Sequence, residues 1–265
     1  YMYTQNMRYR VRGFTLLELI VVIAIIGVLS VIIIPSFKNA LARANDTKLK
    51  QFAINLEKRY DVTTKYDFDE GGGLLAKDTS INQTSNVPQN DLTIPVSGVS
   101  YSQNTYSSSS QYSLLFDGTN FAVSKNVNSP QLDGKSFSVS LWFRRTGNFG
   151  AVNNFFVSKG PGGGGQQFAL GFRYDNLMAG FWGYDWSSPV VVTDTNWHHV
   201  VFSFDSSTRL GTFYFDGVRV AEQFTYGVLL SNTNSDTLKV GSISGSPFTG
   251  QLDDIRFYEG QVIVR

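Results

Sequence analysis

The sequence predicts an α+β protein in which a long hydrophobic-then-amphipathic N-terminal α-helix precedes an antiparallel β-sandwich. An uninterrupted apolar run begins at Phe14. From Tyr112 onward, alternation with period two replaces helical spacing. The pair Asp216-Gly217 separates two alternating segments, as in a tight β-hairpin. The 265 residues suffice for one sizeable domain with an appended helix.

The apolar run covers residues 14–34 and contains one charge, Glu18. As a helix it would be roughly 31 Å long, about the thickness of a bilayer's hydrocarbon core. Three arginines precede it, at positions 8, 10 and 12, so the positive-inside rule places the N-terminus in the cytoplasm. An ordinary signal peptide is shorter and ends in a small-x-small site, which this run lacks. A plain membrane anchor gives no reason for Glu18.

Beyond Pro35, apolar residues recur at mostly helical spacing, with charged residues between them. The pattern predicts an amphipathic continuation to about residues 60–66, and an interfacial amphipathic helix is the alternative. Gly71-Gly72-Gly73 then ends helical character. Residues 67–111 are predicted to be a polar linker with at most short strands, either a flexible stalk or a cover over the next domain.

Alternating segments separated by turn residues fill residues 112–265 and predict a sandwich or barrel. Residues 1–66 carry ten Lys/Arg against four Asp/Glu, and the remainder carries twelve against seventeen. An acidic second half does not favour nucleic-acid binding, which needs clustered cations. The absence of cysteine from the sequence excludes disulfides and thiolate sites.

The segment Arg12-Gly13-Phe14-Thr15-Leu16-Leu17-Glu18 resembles the prepilin peptidase site of type IV pilins and pseudopilins. The resemblance implies a leader, residues 1–13, that is cut after Gly13, and an N-methylated Phe14. It implies that Glu18, the fifth mature residue, meets the N-terminal amine of a neighbouring copy in a helical filament. An unpartnered carboxylate in a bilayer is costly, which fits this pairing.

Residues 14–66 would then be the pilin helix, with residues 14–35 as transmembrane segment and filament core. Gly27 and Pro35 match positions where pilins have helix-weakening residues, and either partial unwinding or a plain kink follows. The resemblance implies a single-pass precursor in the cytoplasmic membrane, handled by a prepilin peptidase and an inner-membrane assembly platform, and then an extracellular filament.

The order of the β-segments resembles the concanavalin A-like, laminin G-like jelly roll. The matching pieces are FDGTNFAV (116–123), FSVSLWF (137–143), FVSKG (156–160), WHHVVFSFD (197–205), FYFDGVRV (213–220) and LDDIRFY (252–258). The resemblance implies a β-sandwich over residues 112–265. This fold hosts lectins, glycosidases and adhesive modules alike, so function depends on the site.

Enzymatic activity is not predicted. The Glu-x-Asp-x-x-Glu strand of related glucanases is missing from the sequence, and Glu222 and Glu259 are the only glutamates after Glu70. His198 and His199, as neighbours on a strand, would point to opposite faces and could not chelate one ion together.

The stretch 181–186 suggests a glycan-binding surface. If it is extended, Trp182, Tyr184 and Trp186 share one face, on which sugar rings could stack. The alternative is that these rings fill the core, since aromatic side chains carry much of core burial.

No cofactor is required by this interpretation, and a structural Ca²⁺ is the metal that the jelly-roll resemblance implies. Jelly rolls of this type use an acid early in the domain and one in the last strand, and Asp117 and Asp253 match those positions. Both are equally typical of turn residues that bond their own backbone.

The sequence is therefore interpreted as a structural subunit of a type IV pilus-like filament, with an outward-facing lectin-like domain for adhesion or glycan binding. One alternative is a pseudopilin of a type II secretion or DNA-uptake system. Another is a membrane-anchored lectin-like protein that does not polymerise, which predicts no cleavage after Gly13.

Overall fold

The computed structural model describes residues 13–80, 90–225, 227–243 and 245–263, without the side chains of 32–39, 41–43, 45–46 and 221–225. The chain divides into two compact units, Tyr1–Lys48 and Leu49–Arg265, which are considered separately below. The predicted leader, up to Arg12, lies outside the described residues.

Helix α1 runs from Leu16 to Arg59. Its first half consists of apolar residues, and its last turn carries Lys58 and Arg59, which complement the negative end of the helix dipole. The backbone stays helical through Gly27 and Pro35. Across the part of the chain that the structure describes, no helix is long and apolar enough to cross a membrane.

The helix is followed by short and medium strands. They are β1 Val62–Tyr66, β2 Leu75–Ala76, β3 Leu92–Thr93, β4 Val99–Ser102, β5 Ser113–Asp117, β6 Ala122–Ser124, β7 Phe137–Arg145, β8 Asn154–Lys159, β9 Phe168–Arg173, β10 Asn176–Gly180, β11 Asp185–Val191, β12 Trp197–Asp205, β13 Leu210–Phe215, β14 Val218–Thr225, β15 Leu238–Val240, β16 Ser242–Ile243, β17 Ser246–Pro247 and β18 Thr249–Glu259. A 3₁₀ turn covers Thr233–Ser235.

These strands form two antiparallel sheets, and the predicted α+β sandwich is confirmed. The first sheet has the order β14-β13-β12-β7-β18-β5-β4, with β1 paired to β18. The second has the order β11-β10-β9-β8-β15-β6-β3-β2, and β16 and β17 form a small ribbon. The Asp216-Gly217 turn joins β13 to β14, with both residues at positive φ (48° and 72°), as a type I′ hairpin requires.

The core lies between the two sheets and is rich in phenylalanine. Strand β7 shows how it is built, because Phe137, Leu141 and Phe143 point into this core while Trp142 points to the other face. Each fully buried side chain of this size contributes about 1.5–3 kcal/mol through its removal from water. The outer face of the first sheet is covered in turn by Phe52 and Leu56 from the end of α1.

Two predicted boundaries are wrong. The helix predicted for residues 14–66 ends at Arg59. The β-branched Val62, Thr63 and Thr64 that follow belong to β1, which pairs with β18. The segment predicted to be a polar linker, residues 67–111, contains the short strands that the prediction allowed, β2, β3 and β4, but these strands extend both sheets and so belong to the sandwich. The sandwich therefore begins at Val62, and residues 81–89 lie outside the described part.

Candidate functional site

The N-terminal helix begins with a capping box. The backbone N–H of Thr15 donates to Glu18 Oε2 at 2.8 Å, and the Thr15 hydroxyl donates to the same oxygen at 2.9 Å. The N–H of Glu18 donates back to Thr15 Oγ1 at 3.2 Å. This Thr-x-x-Glu exchange satisfies donors that every helix start leaves free. Glu18 thus closes the helix start of its own chain, and its predicted pairing with a neighbouring copy stays a prediction.

The rest of this helix start is exposed. Phe14, the predicted first mature residue, is 87% exposed, and every side chain from Gly13 to Leu29 is exposed. A Cβ added at Gly13 or Gly27 would meet no atom within 4 Å. The predicted processing residues therefore lie on an accessible apolar surface.

The shared aromatic face predicted for Trp182, Tyr184 and Trp186 is not formed, because residues 181–184 make a turn instead of an extended strand. The N–H of Phe181 donates to the carbonyl of Tyr184 at 3.2 Å, and Trp182 and Gly183 have positive φ values of 44° and 84°. Trp182 and Tyr184 are 42% and 39% exposed at this turn. Trp186 instead packs against the core, with its ring 5.4 Å from that of Phe213.

The structure does not bring the two predicted calcium ligands together. Asp117 pairs with Thr249 on β18, four residues from Asp253, a separation of about 13 Å along the strand. Asp117 accepts hydrogen bonds from the N–H and hydroxyl of Thr119, as a turn residue does. These two side chains therefore do not form a shared site in this structure, and calcium binding by the domain stays a prediction. Within the described residues, no group of three or more His, Cys, Asp or Glu could hold a metal ion.

Asp253 is buried on the outer face of the first sheet. One of its oxygens accepts a hydrogen bond of 2.9 Å from the hydroxyl of Ser110, and Oδ1 has no partner. Burial raises the pKa of Asp253 to about 8. The next residue, Asp254, has a φ of 48° at a bulge in the β18–β7 ladder. Burial and the unpartnered oxygen both favour the protonated form of this carboxyl.

The two histidines point to opposite faces, as predicted. Burial alone would lower the pKa of His198, but hydrogen bonds and negative charge from Asp216 and Asp194 outweigh it and raise that pKa. His199 is fully buried beside Ser140, and burial lowers its pKa to about 3. The ring of His198 is hydrogen-bonded to Asp216 in the hairpin turn, whereas the ring of His199 is buried beside Ser140. The two rings therefore cannot bind one ion together.

A cavity of about 270 Å³ lies on the outer face of the second sheet. Its floor is apolar and comes from one cluster of side chains: Phe155, Ala169, Met178 and Ile243. The exposed indole of Trp182 forms one wall. The cavity combines an apolar floor with an aromatic wall, as small-molecule sites commonly do.

Polar side chains complete the cavity. Arg173 Nη2 lies 2.9 Å from Asp185 Oδ2, so these two charges neutralise each other. A Cβ at Gly180 would lie 2.1 Å from Asp185 Oδ1, so glycine at this position lets the carboxylate lie across β10. Among the described residues that line the cavity, Asp185 supplies the one carboxylate, whereas glycoside hydrolysis requires two.

Sequence reasoning identified Trp182 but missed the other cavity residues. Gln167 immediately precedes β9, Arg173 ends β9, and Asp185 begins β11. No spacing pattern links them, because only the pairing of β9, β10 and β11 brings them together.

Two family models match the chain. Residues 116–262 match the Concanavalin A-like lectin/glucanases superfamily. Residues 8–34 match the prokaryotic N-terminal methylation motif. The first covers most of the β-sandwich, and the second covers the apolar run with its capping box.

Part of the chain is similar to three named proteins. It is 35% identical to type II secretion system core protein G of Dickeya chrysanthemi over 89 residues, 31% of this chain and 58% of that protein. It is 33% identical to the type IV wide pilus major component PilA4 of Thermus thermophilus, over 29% of this chain and 63% of that protein. It is 37% identical to the prepilin peptidase-dependent protein D of Escherichia coli, over 39% of this chain and 66% of that protein. The chain thus spans about three fifths of the length of these relatives.

Solved structures share the sandwich fold. Domain 4 of AbnA, an arabinanase from Geobacillus stearothermophilus solved with arabinotriose, has a TM-score of 0.57 at 17% identity and covers 77% of this chain and 95% of its own. The sialidase of Trypanosoma rangeli has a TM-score of 0.56 at 15% identity, covering 84% of this chain and 37% of its own. At these identities the likeness extends to the fold alone.

Proposed function

Because the chain belongs to the concanavalin A-like lectin/glucanases superfamily and carries a prokaryotic N-terminal methylation motif, we propose that it is a structural subunit of a type IV pilus-like extracellular filament. The N-terminal helix forms the filament core. The lectin-like domain faces outward and mediates adhesion by binding glycans. The protein has no enzymatic role in this proposal.

The observation that carries the proposal is the long, exposed apolar surface at the start of helix α1. Every side chain from Gly13 to Leu29 is exposed, although most are Leu, Ile or Val. An apolar surface of this length requires a cover, since soluble proteins rarely expose contiguous apolar patches of this size. Lipid tails cover it in the precursor, and the same helices of neighbouring copies cover it in the filament.

Processing links these two states. A prepilin peptidase cuts after Gly13, Phe14 is N-methylated, and an inner-membrane assembly platform adds the subunit to the filament. The new amine at Phe14 can pair with Glu18 of a neighbouring copy, which supplies the charged partner that a carboxylate in an apolar core needs. In this proposal residues 14–35, which extend past the helical stretch whose side chains the structure describes, span the cytoplasmic membrane before assembly, with the leader in the cytoplasm.

Mass spectrometry of filaments sheared from cells tests the proposal. The expected result is an N-terminal peptide that begins at N-methylated Phe14. An intact peptide across residues 12–14, found in membranes alone, would overturn the proposal and leave a membrane-anchored lectin-like protein.

A pseudopilin of a secretion system is the second candidate, and the similarity to type II secretion system core protein G favours it. Similarity to the type IV wide pilus major component PilA4 is of the same size, so identity does not separate the two. The cell surface distinguishes them: long sheared filaments containing this chain support the pilus, whereas loss of protein export on deletion, without surface filaments, supports the pseudopilin.

The adhesive role is tested separately by applying sheared filaments to a glycan array. Retention on at least one glycan supports the lectin-like role. Retention on none contradicts that role and leaves the filament proposal untouched, because mass spectrometry tests the latter independently.

A further inference from the structure

We infer that the cavity walled by Trp182 is the glycan site and that it takes one uncharged, hydroxyl-rich sugar residue, an inference that rests on the proposed lectin-like function and deepens it. The ring of the sugar lies against the apolar floor and the indole, and its hydroxyls donate to amide oxygens in the wall.

An unpartnered buried acceptor points to such a ligand. Gln167 is 2% exposed, and its Nε2 donates to the carbonyl of Gly160 at 2.8 Å, which fixes the orientation of the amide. Its Oε1 is buried without a hydrogen-bond partner, as is Oδ1 of Asn153. Both residues line the cavity. Buried acceptors normally have hydrogen-bond partners, so a ligand that supplies hydrogen-bond donors would complete these two.

The charges of the lining favour a neutral ligand. The guanidinium of Arg173 forms an ion pair with Asp185 at 2.9 Å. Among the described residues that line the cavity, these two carry the charged side chains. An anionic sugar would have to pull Arg173 from Asp185 and leave that carboxylate without its partner, which costs free energy. Hydroxyl groups need neither charge and can donate to the two amide oxygens.

The wall is already in place without a ligand. A Cβ at Gly162 would lie 3.3 Å from the Trp182 ring, so the glycine loop packs closely against the indole. The N–H of Gly165 donates to the carbonyl of Phe181 at 2.8 Å, which ties this loop to the turn. A pre-formed wall reduces the ordering cost of binding. The volume of about 270 Å³ lies near the lower limit of ligand pockets and suits a single terminal residue.

The test uses the full chain in micelles of lauryldimethylamine oxide, because glycoside detergents would compete for the site. The neutral probes are methyl glycosides of glucose, galactose, mannose and arabinose, and N-acetylneuraminic acid is the anionic probe. Saturation-transfer NMR measures binding of each. We expect at least one neutral glycoside to bind, and the anionic sugar to bind more weakly.

Trp182→Gly removes the wall at a residue whose φ of 44° suits glycine, so the turn should fold. Tyr174→Gly is the matched control, since Tyr174 is also an exposed aromatic residue at positive φ (55°) and does not line the cavity. Trp182→Gly should weaken binding up to about tenfold, the loss of one stacking contact, and Tyr174→Gly should not. Ala169→Leu, which fills the floor, should weaken binding as well.

Three results would overturn the inference: no neutral glycoside binds, the anionic sugar binds more tightly, or Trp182→Gly and Ala169→Leu bind like the wild type. Glycan arrays separate this failure from that of the proposed function. Wild-type and Trp182→Gly filaments that are retained equally would place the glycan site elsewhere on a lectin-like domain. Wild-type filaments retained by no glycan would remove the lectin-like role itself.

Discussion

The guanidinium of Arg256 lies 3.3 Å from the carboxylate of Glu57, so the last strand of the sandwich is ion-paired to the last turn of helix α1. The same guanidinium lies 2.9 Å from Asp254 Oδ1, and its side chain is only 9% exposed. This arrangement neutralises two carboxylates at the place where the helix meets the sheet.

Arg256→Met should strongly destabilise the domain. It leaves the buried Asp254 carboxylate without its cation, at a cost of about 3 kcal/mol or more. Thermal unfolding in lauryldimethylamine oxide, followed by tryptophan fluorescence, should show a Tm about 6–12 °C lower. Lys135→Met is the control, because Lys135 pairs with Glu259 on the surface at 3.7 Å. Equal Tm values for the two variants would contradict this account of Arg256.

Asp253 should make stability depend on pH. Burial raises its pKa from 3.8 to about 8, so the folded protein keeps a proton that the unfolded chain loses at lower pH. The stability contributed by that protonated carboxyl is full below about pH 4 and is lost as the pH rises through about 8. Asp253→Asn, which does not titrate, should therefore gain in Tm relative to the wild type between pH 4.5 and 8.5, by several degrees.

The control for this pH dependence is Asp117→Asn. Hydrogen bonds from Thr119 lower the pKa of Asp117, so its contribution has the opposite sign and this variant should not gain with rising pH. If Asp253→Asn tracks the wild type across the whole range, the carboxyl of Asp253 titrates normally and the buried position is incorrectly described.

Lys159 fills a site made of backbone carbonyls. Its ammonium group donates to the carbonyls of Val127 at 2.6 Å, Asp236 at 2.9 Å and Thr233 at 3.4 Å. Lys159→Met keeps the aliphatic stem but leaves these acceptors unsatisfied, which should cost about 2–4 kcal/mol and lower the Tm by several degrees. Lys125→Met, at an exposed position, should have little effect. A Tm loss of the same size in both variants would count against the role of Lys159.

Two substitutions at Glu18 separate helix capping from charge. Glu18→Gln keeps a capping box, since Gln also serves at this position, but it removes the charge. Glu18→Ala removes both. If charge pairing drives assembly, both variants should reduce the yield of sheared filaments at least about tenfold. Thr15→Ser, which retains the hydroxyl, should assemble normally. Normal yield from Glu18→Gln would show that capping is what matters.

The sequence was sufficient for features that depend on local pattern. The Asp216-Gly217 hairpin and the opposite orientations of His198 and His199 follow from turn chemistry and strand period, and both are confirmed. The helix end was misplaced because Val62 pairs with Tyr258, almost two hundred residues away. A pattern read within a short window does not contain that partner.

The candidate site was less predictable for the same reason. Trp182, Tyr184 and Trp186 alternate in sequence, but alternation gives a shared face only if the backbone is extended. The positive φ of Trp182 and Gly183 turns the chain instead. Gln167 gives no signal at all, since what marks it is a missing hydrogen-bond partner in the folded protein.

The direct pairing of β1 with β18 has a mechanical consequence. A pull that reaches the domain along helix α1 arrives at Val62, and β1 passes it to Tyr258 and its neighbours in β18. Strand β18 is held along its other edge by β7, and β5 pairs with residues 249–252 of the edge that β1 shares, so the load spreads into the middle of the first sheet. Glu57 and Arg256 share it through their ion pair. Tension that enters the domain through the helix is therefore carried by several hydrogen-bond ladders at once, so the attachment fails only when the middle of the sheet opens, and not when a single strand detaches.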